Sequence, residues 1–138
     1  MIEGILINYL VGMAGGFFLE LVYRSVYCRR FVRPLFINAN MYGLAAVGLF
    51  IAYFFKFSSI PLVLFATAIT MLIEYVTGTL YLRLKGKYLW DYSKEPMNYK
   101  GIISPRFVIA WVLLSLMYFY LIIPKVDGLR ESLLPHYF

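Results

Sequence analysis

Long apolar runs dominate the chain, and charge is confined almost entirely to the stretches between them. The first run goes from Gly4 to about Tyr23 and is broken only by Glu20. The second falls within Pro34 to Phe55 and carries no charge. The third runs from about Ile60 to Leu82, broken by Glu74, and the fourth from Phe107 to Ile123. Each reaches roughly 17 residues or more, enough to cross a hydrocarbon core of about 30 Å as a helix. In hydrocarbon a helix satisfies its own backbone hydrogen bonds, so helix is the expected form of every run. The pattern predicts an all-α, polytopic integral membrane protein with four transmembrane helices. It reads as a single transmembrane domain over 1–138, with spans at about 4–23, 35–55, 60–82 and 105–123 and basic loops at about 24–34 and 83–104.

Turn and cap residues set the limits of these runs. Phe57-Ser58-Ser59-Ile60-Pro61 reads as a tight turn, with Ser59 capping the third helix and Pro61 in its first turn. Ser104-Pro105 is a similar start for the fourth helix, and Pro124-Lys125 is expected to end it. Pro34 should sit just before the second. The terminal Pro135-His136-Tyr137-Phe138 reads as a frayed end. Met1-Ile2-Glu3 lacks the basic start of a cleavable signal peptide.

Composition excludes the soluble alternatives. The chain is 62% hydrophobic and 14% charged, where soluble domains carry about 25% charged residues. A soluble fold of 138 residues could not bury that much apolar surface. The formal charge of +6 lies in clusters beside the apolar runs, which suits anionic lipid headgroups. No nucleic-acid-reading motif accompanies it, so nucleic acid is not an expected partner. One cysteine and one histidine rule out an internal disulfide and a Cys/His metal centre within one chain, and no cofactor is expected.

Basic residues also predict orientation. The first connection carries Arg24, Arg29, Arg30 and Arg33, and the third carries Arg83, Lys85, Lys87, Lys94, Lys100 and Arg106. The opposite side has only Lys56, Lys125 and Arg130. The positive-inside tendency puts the two basic connections in the cytoplasm and both termini outside.

Two intramembrane glutamates are the strongest chemical signal. Each costs roughly 2.5–3.5 kcal/mol at a helix centre on insertion scales, so each should face protein or water. Gly12, Gly16, Glu20 and Arg24 recur every four residues, as do Ala66, Thr70, Glu74 and Gly78. Small residues let helices approach closely, so both stripes should point into the bundle. The stripes belong to a weak internal repeat: Phe17 to Val22 aligns with Met71 to Val76 at an offset of 54, and Tyr27 aligns with Tyr81. Glu20 and Arg24 can pair along one helix, flanked by Tyr23 and Tyr27, whereas Glu74 has no cation on its own helix until Arg83. One reading is a polar pocket for a cationic or hydrogen-bonding ligand, or for protons. The other is a packing clasp, with the glutamates satisfied by Arg24, Arg106 or tyrosine hydroxyls.

The third connection, Gly86 to Gly101, is too aromatic for a solvated linker. Trp90, Tyr92 and Tyr99 suit the headgroup zone, and Asp91 and Asn98 suit tight turns. The segment is either an interfacial aromatic belt or a re-entrant loop flooring the pocket at Glu20 and Glu74. The candidate ligand-binding set is Glu20, Tyr23, Arg24, Glu74, Trp90, Asp91, Tyr92, Asn98 and Arg106, with no catalytic and no metal-binding residue.

Glu74-Tyr75-Val76-Thr77-Gly78, with Trp90-Asp91-Tyr92-Ser93, Asn98 and Gly101, resembles the ABC-transporter type IV family, the CmpB-like proteins. It is also similar to small four-span vertebrate membrane proteins sharing an E-[YF]-x-[TS]-G … W-D-Y-S pattern. Gly16, Glu20 and Tyr23 look like that family's first-helix motif, and Phe31, Val32, Arg33 and Tyr42-Gly43 like the start of its second helix. The resemblance covers about residues 12 to 120. It departs at Leu35 to Asn40, where the family tends to a glycine- and proline-rich G-P-x-x-P-I-Y-G segment. The resemblance implies a transport component in a bacterial inner or cell membrane. No G-x-x-x-x-G-K-[ST] loop is present, so the chain cannot hydrolyse ATP alone.

Transport, by a permease-like subunit or small-solute carrier, is therefore the leading expectation. Four helices are few for a pathway, which implies a homodimer or a partner ATPase. A structural or regulatory membrane protein comes second. A membrane-embedded enzyme on a lipid substrate comes third, because no nucleophile constellation supports it and the chain is more readily read as a non-enzyme.

Overall fold

The computed structural model describes residues 1–56 and 58–133. Four helices follow one another: α1 (Ile2–Cys28), α2 (Phe36–Phe54), α3 (Ser59–Lys85) and α4 (Pro105–Leu133). All four are long and apolar enough to cross a membrane. Among the described residues there is no strand, only an isolated bridge between Tyr99 and Ile103.

α2 is the central element. In its most apolar window 56% of residues are buried, against 17%, 22% and 17% for α1, α3 and α4. It carries no charge and is rich in small residues, among them Ala39, Gly43, Ala45, Ala46 and Ala52, all buried. The other three helices each bury one narrow stripe. On α1 the stripe is Gly4, Asn8, Gly12 and Gly16; on α3 it is Leu62, Ala66, Thr70, Glu74 and Gly78. The outward faces present Leu6, Leu10, Phe18, Leu64, Leu72, Ile109 and Leu113, all exposed. An apolar surface of that extent is what lipid contact requires.

Without a hydrophobic drive between helices in lipid, close packing and interhelical hydrogen bonds hold the bundle. α1 and α2 approach most closely. A Cβ on Gly12 would collide with the Ala46 methyl, and one on Gly16 would land in the Tyr42 side chain. The Tyr9 hydroxyl donates to Asn40 Oδ1 across this contact. The Tyr118 hydroxyl donates to both Asn8 oxygens, at 3.1 Å to the backbone carbonyl and 3.0 Å to Oδ1, and so ties α4 to α1.

The helix ends differ from two sequence expectations. Ser58, not Ser59, is the N-cap of α3, and neither serine caps it through its side chain. The Ser59 hydroxyl instead accepts from Tyr120, at 2.9 Å. Pro124 does not end α4, which continues to Leu133. A proline in a helix removes one hydrogen bond and clashes with the carbonyl four residues earlier. Here the backbone widens into a π-helical turn over Tyr118–Ile122 immediately before it, and α-helix resumes at Ile123. The expected tight turn around Phe57 falls in part on a residue outside those described, and the expected frayed end at 135–138 lies wholly outside them.

Candidate functional site

Glu74 lies on the buried stripe of α3, one turn beyond Thr70, and Glu20 lies one turn beyond Gly16, where the buried stripe of α1 ends. Their surroundings differ. Glu20 is partly buried, and its Oε2 accepts from Arg24 Nε at 2.6 Å along the same helix. Its Oε1 accepts from the Tyr42 hydroxyl on α2 at 3.3 Å. Glu74 is only 2% exposed. Its Oε1 accepts from the Tyr92 hydroxyl at 3.4 Å, a long bond, and its Oε2 has no hydrogen-bond partner among the described residues. No ion pair reaches it among those residues. The Trp111 side chain on α4 lies near enough to act on the same carboxylate.

The loop Gly86–Ser104 supplies Tyr92. Gly86, at φ 66°, ends α3 in a left-handed conformation that suits a residue without Cβ. The Trp90 indole N–H then donates to the Ile102 carbonyl at 2.8 Å, and the Tyr92 N–H donates to the Gly101 carbonyl at 2.9 Å. Asn98 organises the far turn: its Nδ2 donates to the Glu95 carbonyl at 2.9 Å and its Oδ1 accepts from the Gly101 N–H at 2.9 Å. Leu89 inserts into a core with Met41, Ala45 and Trp111. Folded this way, the loop packs against the helix ends. The Tyr92 ring stacks on Phe107 of α4 at 4.3 Å between centroids. Burial, reinforced by the charges of Glu74 and Glu20, pushes the Tyr92 hydroxyl above the ordinary tyrosine range. It therefore keeps its proton and remains a donor to Glu74.

Of the nine residues selected from the sequence, these contacts join Glu20 to Arg24 and Glu74 to Tyr92, with Trp90 and Asn98 shaping the loop behind Tyr92. Tyr23 is at the rim, half-exposed, with its ring edge-on to Phe107 at 6.2 Å. Two residues stand apart. Arg106 is exposed and pairs with Glu95 at 3.6 Å rather than with either buried glutamate. Asp91 is exposed and accepts from the Ser93 N–H at 2.9 Å and from the Ser93 hydroxyl. Those bonds, led by the hydroxyl, hold its carboxyl below the usual aspartate range. Sequence reasoning passed over Tyr42 and Trp111 as site residues. Their rings lie 4.9 Å apart, and they join Tyr92 as aromatic neighbours of the two carboxylates. Tyr42 carried a faint signal in its Tyr-Gly pair, whereas nothing in the local pattern around Trp111 distinguishes it from a lipid-facing tryptophan.

One turn into the bundle from the carboxylates, an apolar cleft of about 260 Å³ lies among the helices. Gly12, Gly15 and Gly16 form one wall and Trp111, Leu114 and Ser115 the other, with Tyr42, Ala45, Ala46 and Thr70 also lining it. Tyr42 and Trp111 thus belong both to the cleft and to the carboxylate cluster.

The family described as "Putative ABC-transporter type IV" matches residues 7–137. The chain belongs to this family. Membership and four apolar helices fit an integral membrane protein that is a component of a transport system, and suggest an ATPase partner. No curated protein and no solved structure matches the chain.

Proposed function

We propose that this type IV family member is the membrane-embedded subunit of a transporter, and that Glu20 and Glu74 form its polar intramembrane site. The observation that carries the reading is Glu74: a carboxylate 2% exposed, with one oxygen unpartnered among the described residues. A group that costs this much to bury and is left half-satisfied is a poor packing device. A bound solute or a proton completes it. Tyr92 donates to the Glu74 carboxylate, while Arg24 already neutralises Glu20. The basic connections lie on the cytoplasmic side against anionic headgroups, where an ATPase subunit would dock. A second copy of the chain or that partner supplies the helices that four spans lack. For Glu20 alone the clasp reading has an observation in its favour, the 2.6 Å ion pair with Arg24.

The test is uptake into inside-out vesicles from the native host, supplied with ATP and a small-molecule extract and read by mass spectrometry. At least one solute should accumulate with the wild-type chain and fall at least tenfold with Glu74→Gln, at unchanged protein level and melting temperature. Equal accumulation by wild type and variant would sink the reading, as would no accumulation above vesicles lacking the chain. If Glu74→Gln alters only the melting temperature, the glutamate is a clasp.

A further inference from the structure

Between α1 and α4 the bundle has a window. α1 packs closely on α2, but its backbone nears α4 mainly beyond Ile123. Two side-chain bridges span the gap. At one end the Tyr23 and Phe107 rings meet at 6.2 Å, and at the other the Tyr118 hydroxyl donates to the Asn8 carbonyl at 3.1 Å. Between these bridges lies the apolar cleft, floored by Tyr42, Ala45, Ala46 and Leu49 of α2. Its lips are exposed: Phe18 by 63% and Leu19 by 40% on α1, Met117 by 44% on α4. A Cβ on Gly15 meets nothing within 4 Å. The opening is therefore continuous with the lipid-facing surface of both helices.

The lining decides what fills it. Among the described residues no charged side chain lines the cleft, and four lining residues carry hydroxyls. Tyr42 donates to Glu20, Thr70 to the Thr67 carbonyl and Tyr118 to Asn8. Only the Ser115 hydroxyl is left without a hydrogen bond among those residues. A buried water needs about two to four polar partners, and an apolar cavity of about 150 Å³ stays dry and takes up benzene. With one free hydroxyl in about 260 Å³, this cleft excludes water and has room for a hydrocarbon group. Left empty, its walls would forfeit their dispersion contacts. The shape points to a chain. On α1 the lining runs from Val11 to Leu19, about 12 Å along the axis. Spread over that length, the volume has a section of roughly 20 Å², about a quarter of that of a helix about 10 Å across. A helix of a second copy does not fit, and a single extended hydrocarbon chain does.

We propose that this window holds one acyl chain of a bilayer phospholipid, lying along the helix axes between the glycine face of α1 and Trp111. The chain enters sideways between α1 and α4 while its headgroup stays at the membrane surface. Shape and the absence of charge select it. This site goes beyond the transport reading above, and neither depends on the other.

The experiment compares tryptophan fluorescence of the full-length protein in vesicles of phosphatidylcholine and of phosphatidylcholine brominated midway along one acyl chain. Bromine quenches an indole that it touches. Trp111 lines the cleft yet is only 9% exposed, so chains on the outer surface scarcely reach it. Its share of the emission is the part removed by Trp111→Phe in each background. The brominated lipid should quench that share by at least half in the wild type. Gly15→Leu and Met117→Phe each put a larger side chain at a lip that has room for it. Each should cut the quenching of Trp111 at least threefold at unchanged melting temperature. The two lip variants sit on opposite helices, so one carries the test if the other fails to fold. If Trp111→Phe fails to fold, total emission of wild type against lip variants reads the same contact, because Trp90 does not line the cleft. Quenching of less than half in the wild type overturns the proposal, as does a fall of less than threefold in every folded lip variant.

Discussion

At the scale of single residues, two kinds of acidic group share one end of the molecule and behave differently. Glu74 is buried on α3 and accepts from a neutral donor, Tyr92 of the loop, whereas Asp91 sits outside on the loop and holds its own turn together. The Asp91 carboxylate favours its charged form because Ser93 donates to it from both hydroxyl and amide. Its folded value therefore lies below that of a free aspartate, about 3.9. For a depressed carboxylate the stabilising contribution is full above the unfolded value and lost as pH falls through the folded one. The Ser93 amide shift, followed by NMR against pH, should accordingly turn at a midpoint below the free-aspartate range. A midpoint at or above it would show that the turn does not depend on the charge. Asp91→Ala should leave ligand binding at Glu74 untouched, because Asp91 points into the turn rather than toward the helices.

At the scale of elements, contact between α1 and α2 depends on missing side chains. Gly16 packs where a Cβ would occupy the Tyr42 side chain, while Gly15, one position on, faces open space. The two glycines have the same helix propensity cost, so any difference between their alanine variants reports packing alone. Gly16→Ala should destabilise the protein by about 1–3 kcal/mol, the usual cost of overpacking. Gly15→Ala should be neutral, or stabilising by about 0.5–1 kcal/mol through lost backbone entropy. Reversible unfolding in mixed micelles reads both, and equal effects would mean that α1 and α2 do not pack through this face. The same contact sets Tyr42 against Glu20, so Gly16→Ala should also disturb the carboxylate cluster. At the offset of 54 the buried Asn8, Gly12 and Gly16 of α1 fall on the buried Leu62, Ala66 and Thr70 of α3, but the following connections differ in length and role.

At the scale of the whole molecule, the remaining question is which side the carboxylate end faces. Ten of the 13 basic residues lie in the first and third connections or at their borders. The lone cysteine, Cys28, is exposed at the end of α1 beside the first of these. Cytoplasmic placement predicts that a membrane-impermeant maleimide labels Cys28 in inside-out vesicles and spares it in intact cells. A cysteine at Lys56, in a Cys28→Ser background, should show the reverse. Labelling of Cys28 from outside would invert the orientation, and equal labelling of both positions from one side would indicate a mixed topology.

The sequence by itself determined the helical membrane architecture, the number of spans and the stripes that face inward, because each follows from local period and from the cost of burying charge or bare backbone in lipid. Glu20, Glu74 and the aromatic loop were legible for the same reason. The tertiary structure alone decided what surrounds them. Arg106 reaches Glu95 instead of a buried glutamate, Tyr42 and Trp111 join the carboxylates from two other helices, and α4 runs past Pro124 on a widened turn. These depend on how helices distant in sequence rotate against one another. One-dimensional spacing records which face of a helix turns inward, but not which side chain of a neighbour it meets there.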